Sequence, residues 1–256
     1  MSDVRRQPTE FRSRIVRKEH VLGTFIKTPT THATEIVGSV GFDFTIVDQE
    51  HAPFDRGTID MACLAARAVG TAALVRVAEP TPASILSVLD LGAAGVLVPH
   101  VDSADKARQI ASACRYRGGS RGFSNTTRAG GYGSASFTDH MAAQDSQVTC
   151  VAMIEDEAAL ERLDEIAAVE GIDAFFIGRG DLTAALGPEA MVEAVKRITA
   201  AARAADRTTM VLVSSRDDAR AMRELGATAF VVSNDQSLLR SAASAALKDY
   251  GDPAAW

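Results

Sequence analysis

Phe44-Thr-Ile-Val-Asp48-Gln-Glu50-His51-Ala-Pro53 is an apolar run that ends abruptly in two carboxylates and an imidazole. Residues with strand propensity followed by Asp, Glu and His describe a buried strand that delivers ionisable groups to its C-terminal end. In a parallel α/β protein that end is where chemistry is done.

Outward from this stretch, strand-like and helix-like segments alternate. Strands are expected at 21–27, 42–50, 71–77 and 95–99, with helices at 32–40, 55–69, 82–91 and 103–116, the last N-capped by Ser103. After a long interruption the rhythm resumes, with strands at 149–154, 174–177, 209–213 and 229–232. Their helices are expected at 157–169, 188–205, 217–225 and 236–248. Glycines such as Gly41, Gly70 and Gly92 stop the helices. The strands are continuous apolar runs, as expected when both faces of a parallel sheet are buried. Eight such units over 256 residues predict one α/β domain, a (β/α)8 TIM barrel spanning 1–256. An open doubly wound sheet is the alternative, but Lys27-Thr-Pro-Thr-Thr31 stands where its glycine-rich turn would be.

Composition narrows the class. The chain is 46% hydrophobic and 23% charged, enough for a large core, and its net charge of −6 argues against nucleic acid or an anionic membrane as partner. Cys63, Cys114 and Cys150 are odd in number and far apart, which argues against a disulfide framework or structural zinc. A short basic N-terminal extension with Arg5, Arg6, Arg12, Arg14, Arg17 and Lys18 has no apolar core of a signal peptide. No apolar run approaches the roughly 20 residues of a membrane span. The expected location is the cytoplasm.

In a barrel, the residues closing each strand surround one cavity. Here they include Lys27, Asp48, Glu50, His51, Arg76, His100, Glu155, Asp156, Arg179 and Asp181. Glu155 and Asp181 follow consecutive strands, so two carboxylates converge on one rim and repel unless a cation or a shared proton lies between them. Hard oxygen ligands without clustered His or Cys favour Mg²⁺ or Mn²⁺. The alternative is that Asp181 and Glu155 merely open helices.

Val47-Asp48-Gln49-Glu50-His51-Ala52-Pro53, Val75-Arg76, Leu89-Asp90-Leu-Gly92, Leu97-Val-Pro99, Arg121-Gly122, Ile154-Glu155 and Phe176-Ile-Gly178-Arg-Gly-Asp181-Leu182 together resemble the HpcH/HpaI aldolases, metal-dependent class II pyruvate aldolases. The resemblance implies reversible retro-aldol cleavage of a 4-hydroxy-2-oxo acid to pyruvate and an aldehyde. It implies a divalent cation, Mg²⁺ or Mn²⁺ with Co²⁺ as a substitute, held by Glu155 and Asp181 and stabilising the enolate of pyruvate. Arg76 then holds the keto-acid oxygen, with Gly178, Gly180 and Arg121 also on the substrate. His51 is the acid/base for the aldol hydroxyl, Asp48 its orienting carboxylate, and Asp90 a further acidic residue near that histidine. Blander readings stay open: His51 as a turn residue before Pro53, Arg76 as a rim ion pair to Glu50, Asp90 as a solvent-facing helix residue. Departures from the family pattern are Gln49, His100 after Pro99, Met153, and Arg179-Gly180 before Asp181.

The interruption at about 115–137, rich in Arg and Gly, is expected to be mobile, and to serve either as a binding segment or as a packing surface for a second subunit. The last helix is commonly exchanged between subunits in the family, implying a homo-oligomer, trimer or hexamer. Three other functions remain: C–C lysis of an acyl-CoA ester, as in citrate-lyase-like relatives; Schiff-base chemistry on Lys27; and keto-acid binding without turnover.

Overall fold

Eight parallel strands close on themselves in chain order in the computed structural model, which describes residues 8–251. They are β1 (Val21–Ile26), β2 (Phe44–Asp48), β3 (Ala72–Arg76), β4 (Gly95–Val98), β5 (Thr149–Ile154), β6 (Ala174–Ile177), β7 (Thr208–Val213) and β8 (Ala229–Asn234). The helices are α1 (Phe11–Val16), α2 (Thr31–Ser39), α3 (Arg56–Val69), α4 (Pro82–Asp90), α5 (Ala104–Ala113), α6 (Phe137–Gln147), α7 (Glu157–Leu160), α8 (Leu163–Ala167), α9 (Arg179–Leu186), α10 (Pro188–Ala204), α11 (Arg216–Leu225) and α12 (Asp235–Tyr250). This is the single (β/α)8 barrel expected from the alternation.

Local chemistry explains the element ends. Asp55 and Thr58 form a reciprocal capping box at the start of α3, and Ser103 caps α5. Gly70 ends α3 at φ 73°, a left-handed conformation that glycine adopts without a Cβ penalty. The helix expected over 157–169 is broken into α7 and α8 around Glu161 and Arg162.

Two apolar layers result. Alternate residues such as Phe44, Ile46, Leu74, Leu97, Met153 and Phe176 fill the barrel, while Val47, Val75, Val96 and Ile177 face the helices. α1, which the sequence pattern did not reveal, inserts Phe11 and Ile15 into the interior layer and stacks Phe11 against Phe44 at 5.1 Å. Its basic residues are ion-paired, Arg12 to Asp173 and Arg14 to Asp43, so α1 closes the barrel floor. Arg5 and Arg6 lie outside the described residues. No helix among the described residues is long and apolar enough to cross a membrane.

Candidate active site

The interior periodicity that buries Phe44 and Ile46 turns Asp48 inward at the top of β2, and the one that buries Ala72 and Leu74 does the same for Arg76. The two are register partners, so their side chains meet. Arg76 Nε and Nη2 donate to the two oxygens of Asp48 at 2.9 and 2.8 Å, Nη1 lies 3.1 Å from Glu50 Oε2, and the guanidinium sits 5.0 Å from the centroid of the Phe25 ring. Burial alone would raise the Asp48 carboxyl, but the Arg76 guanidinium, the His51 N–H and the Lys27 ammonium together outweigh it and hold it below the usual carboxylate range. Lys27 Nζ stands 3.4 Å from the same carboxylate.

Asp48 does not orient the His51 ring, as the resemblance implied. Its oxygens are taken by Arg76, and it meets His51 only through the backbone N–H, at 3.1 Å. The ring is exposed, and its Nε2 lies 3.7 Å from Glu50 Oε2. Glu50 is the hub of the rim: it makes the ion pair with Arg76 that the blander reading allowed, and His100 Nε2 stands 3.8 Å from its other oxygen. The signal was present in the sequence, since Glu50 and His100 both close strands.

Glu155, at the top of β5, is 3% exposed and accepts the His100 backbone N–H at 2.8 Å. Burial lifts its carboxyl to about 7; the His100 N–H pulls the other way, and the hydrogen-bonded Asp181 carboxyl adds to the rise. Gly178 makes this possible, because a Cβ there would fall 2.5 Å from Glu155 Cβ and 2.9 Å from Oε2. Gly180 is exposed on the rim with open space around its Cα. Next to it, Arg179 grips Asp218 through two hydrogen bonds of 2.8 and 2.6 Å, tying the first turn of α9, which carries Asp181, to α11.

Among the described residues no set of three or more His, Cys, Asp or Glu is gathered as a complete metal cage. A buried carboxylate driven against a second one nonetheless fits a divalent cation, which would relieve the repulsion and take its other ligands from water or substrate.

Asp90 and Arg121 are not brought to this rim. Asp90 ends α4 and Arg121 lies between α5 and β5, both in helix-to-strand connections, which lie at the opposite end of the barrel from the strand C-termini. There Arg121 donates to Asp90 at 3.4 Å and to Gln144 at 3.1 Å and stacks on Tyr116. The interruption is tied down at several points: Arg128 forks onto Asp60 at 3.1 and 2.7 Å, and Tyr116 and Phe123 pack on His140 and Phe137 of α6. It cannot act as a lid on its own chain's site.

A closed parallel barrel with a guanidinium, two imidazoles and a carboxylate pair at its strand C-termini has the architecture of an enzyme. The family model for HpcH/HpaI aldolase/citrate lyase matches residues 22–242, so the chain belongs to that family and is a carbon–carbon lyase. It is 32% identical over 243 residues to 5-keto-4-deoxy-D-glucarate aldolase of Escherichia coli O6:H1 (strain CFT073), covering 92% of this chain and 94% of the relative. The structure of an HpcH/HpaI aldolase/citrate lyase family protein from Burkholderia cenocepacia J2315 superposes with a TM-score of 0.89 at 26% identity, over 95% of this chain and all of that one. Citrate synthase SbnG matches with a TM-score of 0.84 at 26% identity, over 94% of this chain and 96% of its own.

Proposed function

We propose that the protein is a class II pyruvate aldolase, cleaving a 4-hydroxy-2-oxo acid reversibly to pyruvate and an aldehyde. The observation that carries this reading is the Glu155–Asp181 carboxylate pair beside a buried, carboxylate-locked Arg76. Glu155 and Asp181 would hold Mg²⁺ or Mn²⁺, with Co²⁺ as a substitute, and the cation would act as a Lewis acid toward the 2-oxo acid. Arg76, fixed by Asp48 and Glu50, presents its remaining N–H groups to the keto oxygen as negative charge gathers there. His51 takes the proton of the 4-hydroxyl as the C3–C4 bond breaks, and returns it in the condensation direction. Gly180 leaves room for substrate at the rim, and Gly178, by leaving room for Glu155, shapes the floor on which the substrate would lie. Asp90 and Arg121 can join a site only from a neighbouring protomer.

Lys27 is disfavoured as a Schiff-base lysine because its ammonium is held beside Asp48. The likeness to citrate synthase SbnG keeps chemistry on an acyl-CoA ester as a second reading. Against it, the arginine-rich segment suited to CoA phosphates lies at the far end of the same barrel.

We also propose a homo-oligomer that exchanges α12. No residue of α12 is buried on its own barrel, and Leu239 and Leu247 are 72% and 74% exposed. Beside β8 an open groove of about 640 Å³, lined by Leu22, Ala219, Phe230 and Val232 among others, offers a seat for the α12 of a second copy. Three buried free thiols suit a reducing compartment such as the cytoplasm.

The test is pyruvate release from a panel of 4-hydroxy-2-oxo acids after exhaustive EDTA treatment and again with Mg²⁺, Mn²⁺ or Co²⁺ restored. Activity lost to chelation, regained with metal and absent in Glu155→Ala is the expected result. Activity that survives EDTA but is lost to borohydride in the presence of pyruvate would transfer the chemistry to Lys27.

A further inference from the structure

Among the described residues, His100 is one of two non-glycine residues at the strand C-termini, with Ser233, whose backbone is left-handed. Its φ of 54° is an uncommon conformation for a side-chain-bearing residue, and its surroundings hold it there. Three contacts do so: its N–H donates to Glu155 Oε1 at 2.8 Å, Lys106 Nζ donates to its carbonyl at 2.6 Å, and Nδ1 lies 3.2 Å from both oxygens of Asp156. Lys106 is itself held by Asp102 at 3.1 Å. The side chain is still 51% exposed, and Nε2 is 3.8 Å from Glu50 Oε1, beyond hydrogen-bond reach. A fixed ring therefore presents one unfilled nitrogen at the mouth, across Glu50 from His51.

The chemistry of that nitrogen selects its partner. A hydroxyl group can donate to a bare Nε2 or accept from a protonated one, so it satisfies the ring in either state. An alkyl group does neither. A carboxylate can only accept, and it would have to approach beside Glu50, Glu155 and Asp156, three carboxylates around one imidazole.

We infer that His100, held by Asp156, is a specificity-determining residue that binds a hydroxyl group on the aldehyde portion of the substrate, so that the enzyme takes short, uncharged hydroxyaldehydes in preference to apolar or carboxylated ones. This rests on the aldolase reading and deepens it. His51 serves the reacting hydroxyl, and His100 reads the one beyond it.

The test is aldol addition of pyruvate to three probes, glyceraldehyde, butanal and succinic semialdehyde, by the metal-loaded enzyme. The wild type is expected to show its highest kcat/KM with glyceraldehyde. In His100→Phe the glyceraldehyde-to-butanal ratio of kcat/KM should fall about ten- to a hundredfold, the range for a site left with an unpaired polar group. His100→Gln should recover part of that ratio. The ratio divides out any general loss of activity that a disturbed Glu155 would cause. Asp156→Asn leaves the strained backbone untouched and weakens the grip on Nδ1, so its ratio should fall in the same direction even if His100→Phe does not fold. An unchanged ratio in the variants, or a wild type that prefers succinic semialdehyde, overturns the inference while the aldolase reading stands. A wild type that neither condenses any probe nor exchanges the methyl protons of pyruvate in D₂O overturns the aldolase reading, and this inference with it.

Discussion

Asp48 and Arg76 form a buried pair in which each ion depends on the other. Breaking such a pair from one side costs about 3–5 kcal/mol, because the surviving charge is left in a dry site. Glu50 still holds one edge of Arg76, so Asp48→Asn is expected at the low end, about 3 kcal/mol, read from denaturant unfolding. Arg76→Lys should lose activity despite keeping its charge, since one ammonium cannot satisfy both oxygens of Asp48 and one of Glu50. The Arg179–Asp218 fork gives a pH signature. Arg179 holds the Asp218 carboxyl at about 2, below its ordinary 3.8, so the stabilisation is present above pH 4 and disappears as pH falls toward 2. The stability difference between wild type and Asp218→Asn should shrink by about 1–2 kcal/mol between pH 5 and pH 2. A difference that is constant over that range would show that the fork does not stabilise the start of α9, where Asp181 lies.

At the scale of elements, α1 is the plug of the barrel floor. Phe11 is 1% exposed and Ile15 fully buried, and Thr208 Oγ1 donates to the Ile15 carbonyl at 2.5 Å. Phe11→Ala should cost about 3–5 kcal/mol, the range for an aromatic removed from a packed core, measured by thermal or denaturant unfolding. The pattern does not reveal α1 because six residues carry too few turns for a helical period, and because its two arginines, followed by Arg17 and Lys18, read as a basic extension. The segment between α5 and α6 is a related case. Its glycines and arginines suggest mobility, but each arginine that orders it finds a carboxylate far away in sequence, Arg121 at Asp90 and Arg128 at Asp60.

For the whole molecule, the exposed apolar face of α12 is the feature a lone barrel leaves unexplained. Leu239→Glu with Leu247→Glu should shift the protein toward monomer in analytical ultracentrifugation; in a protein already monomeric, two exposed substitutions would leave mass and stability nearly unchanged. The groove beside β8 is lined by residues of β1, β7, α11 and β8 and by none of α12, so it stands open for the α12 of a second copy.

The order and type of the eight strand-helix units were legible in the sequence, because apolar runs and glycine stops are local patterns. So was the membership of the rim, because a strand end places whichever ionisable residue follows it at the cavity. Partnership within the rim was not legible. Arg76 could have been a substrate clamp or a rim ion pair; the β2–β3 register places it opposite Asp48, and it is locked to Asp48 and Glu50 at once. Asp90 and Arg121 were grouped with His51 on motif alone, and the tertiary structure separates them, because helix-to-strand connections and strand C-termini lie at opposite ends of a barrel. The left-handed turn that aims His100 across Glu50 is set by contacts from β5 and α5, so only the folded chain could decide it.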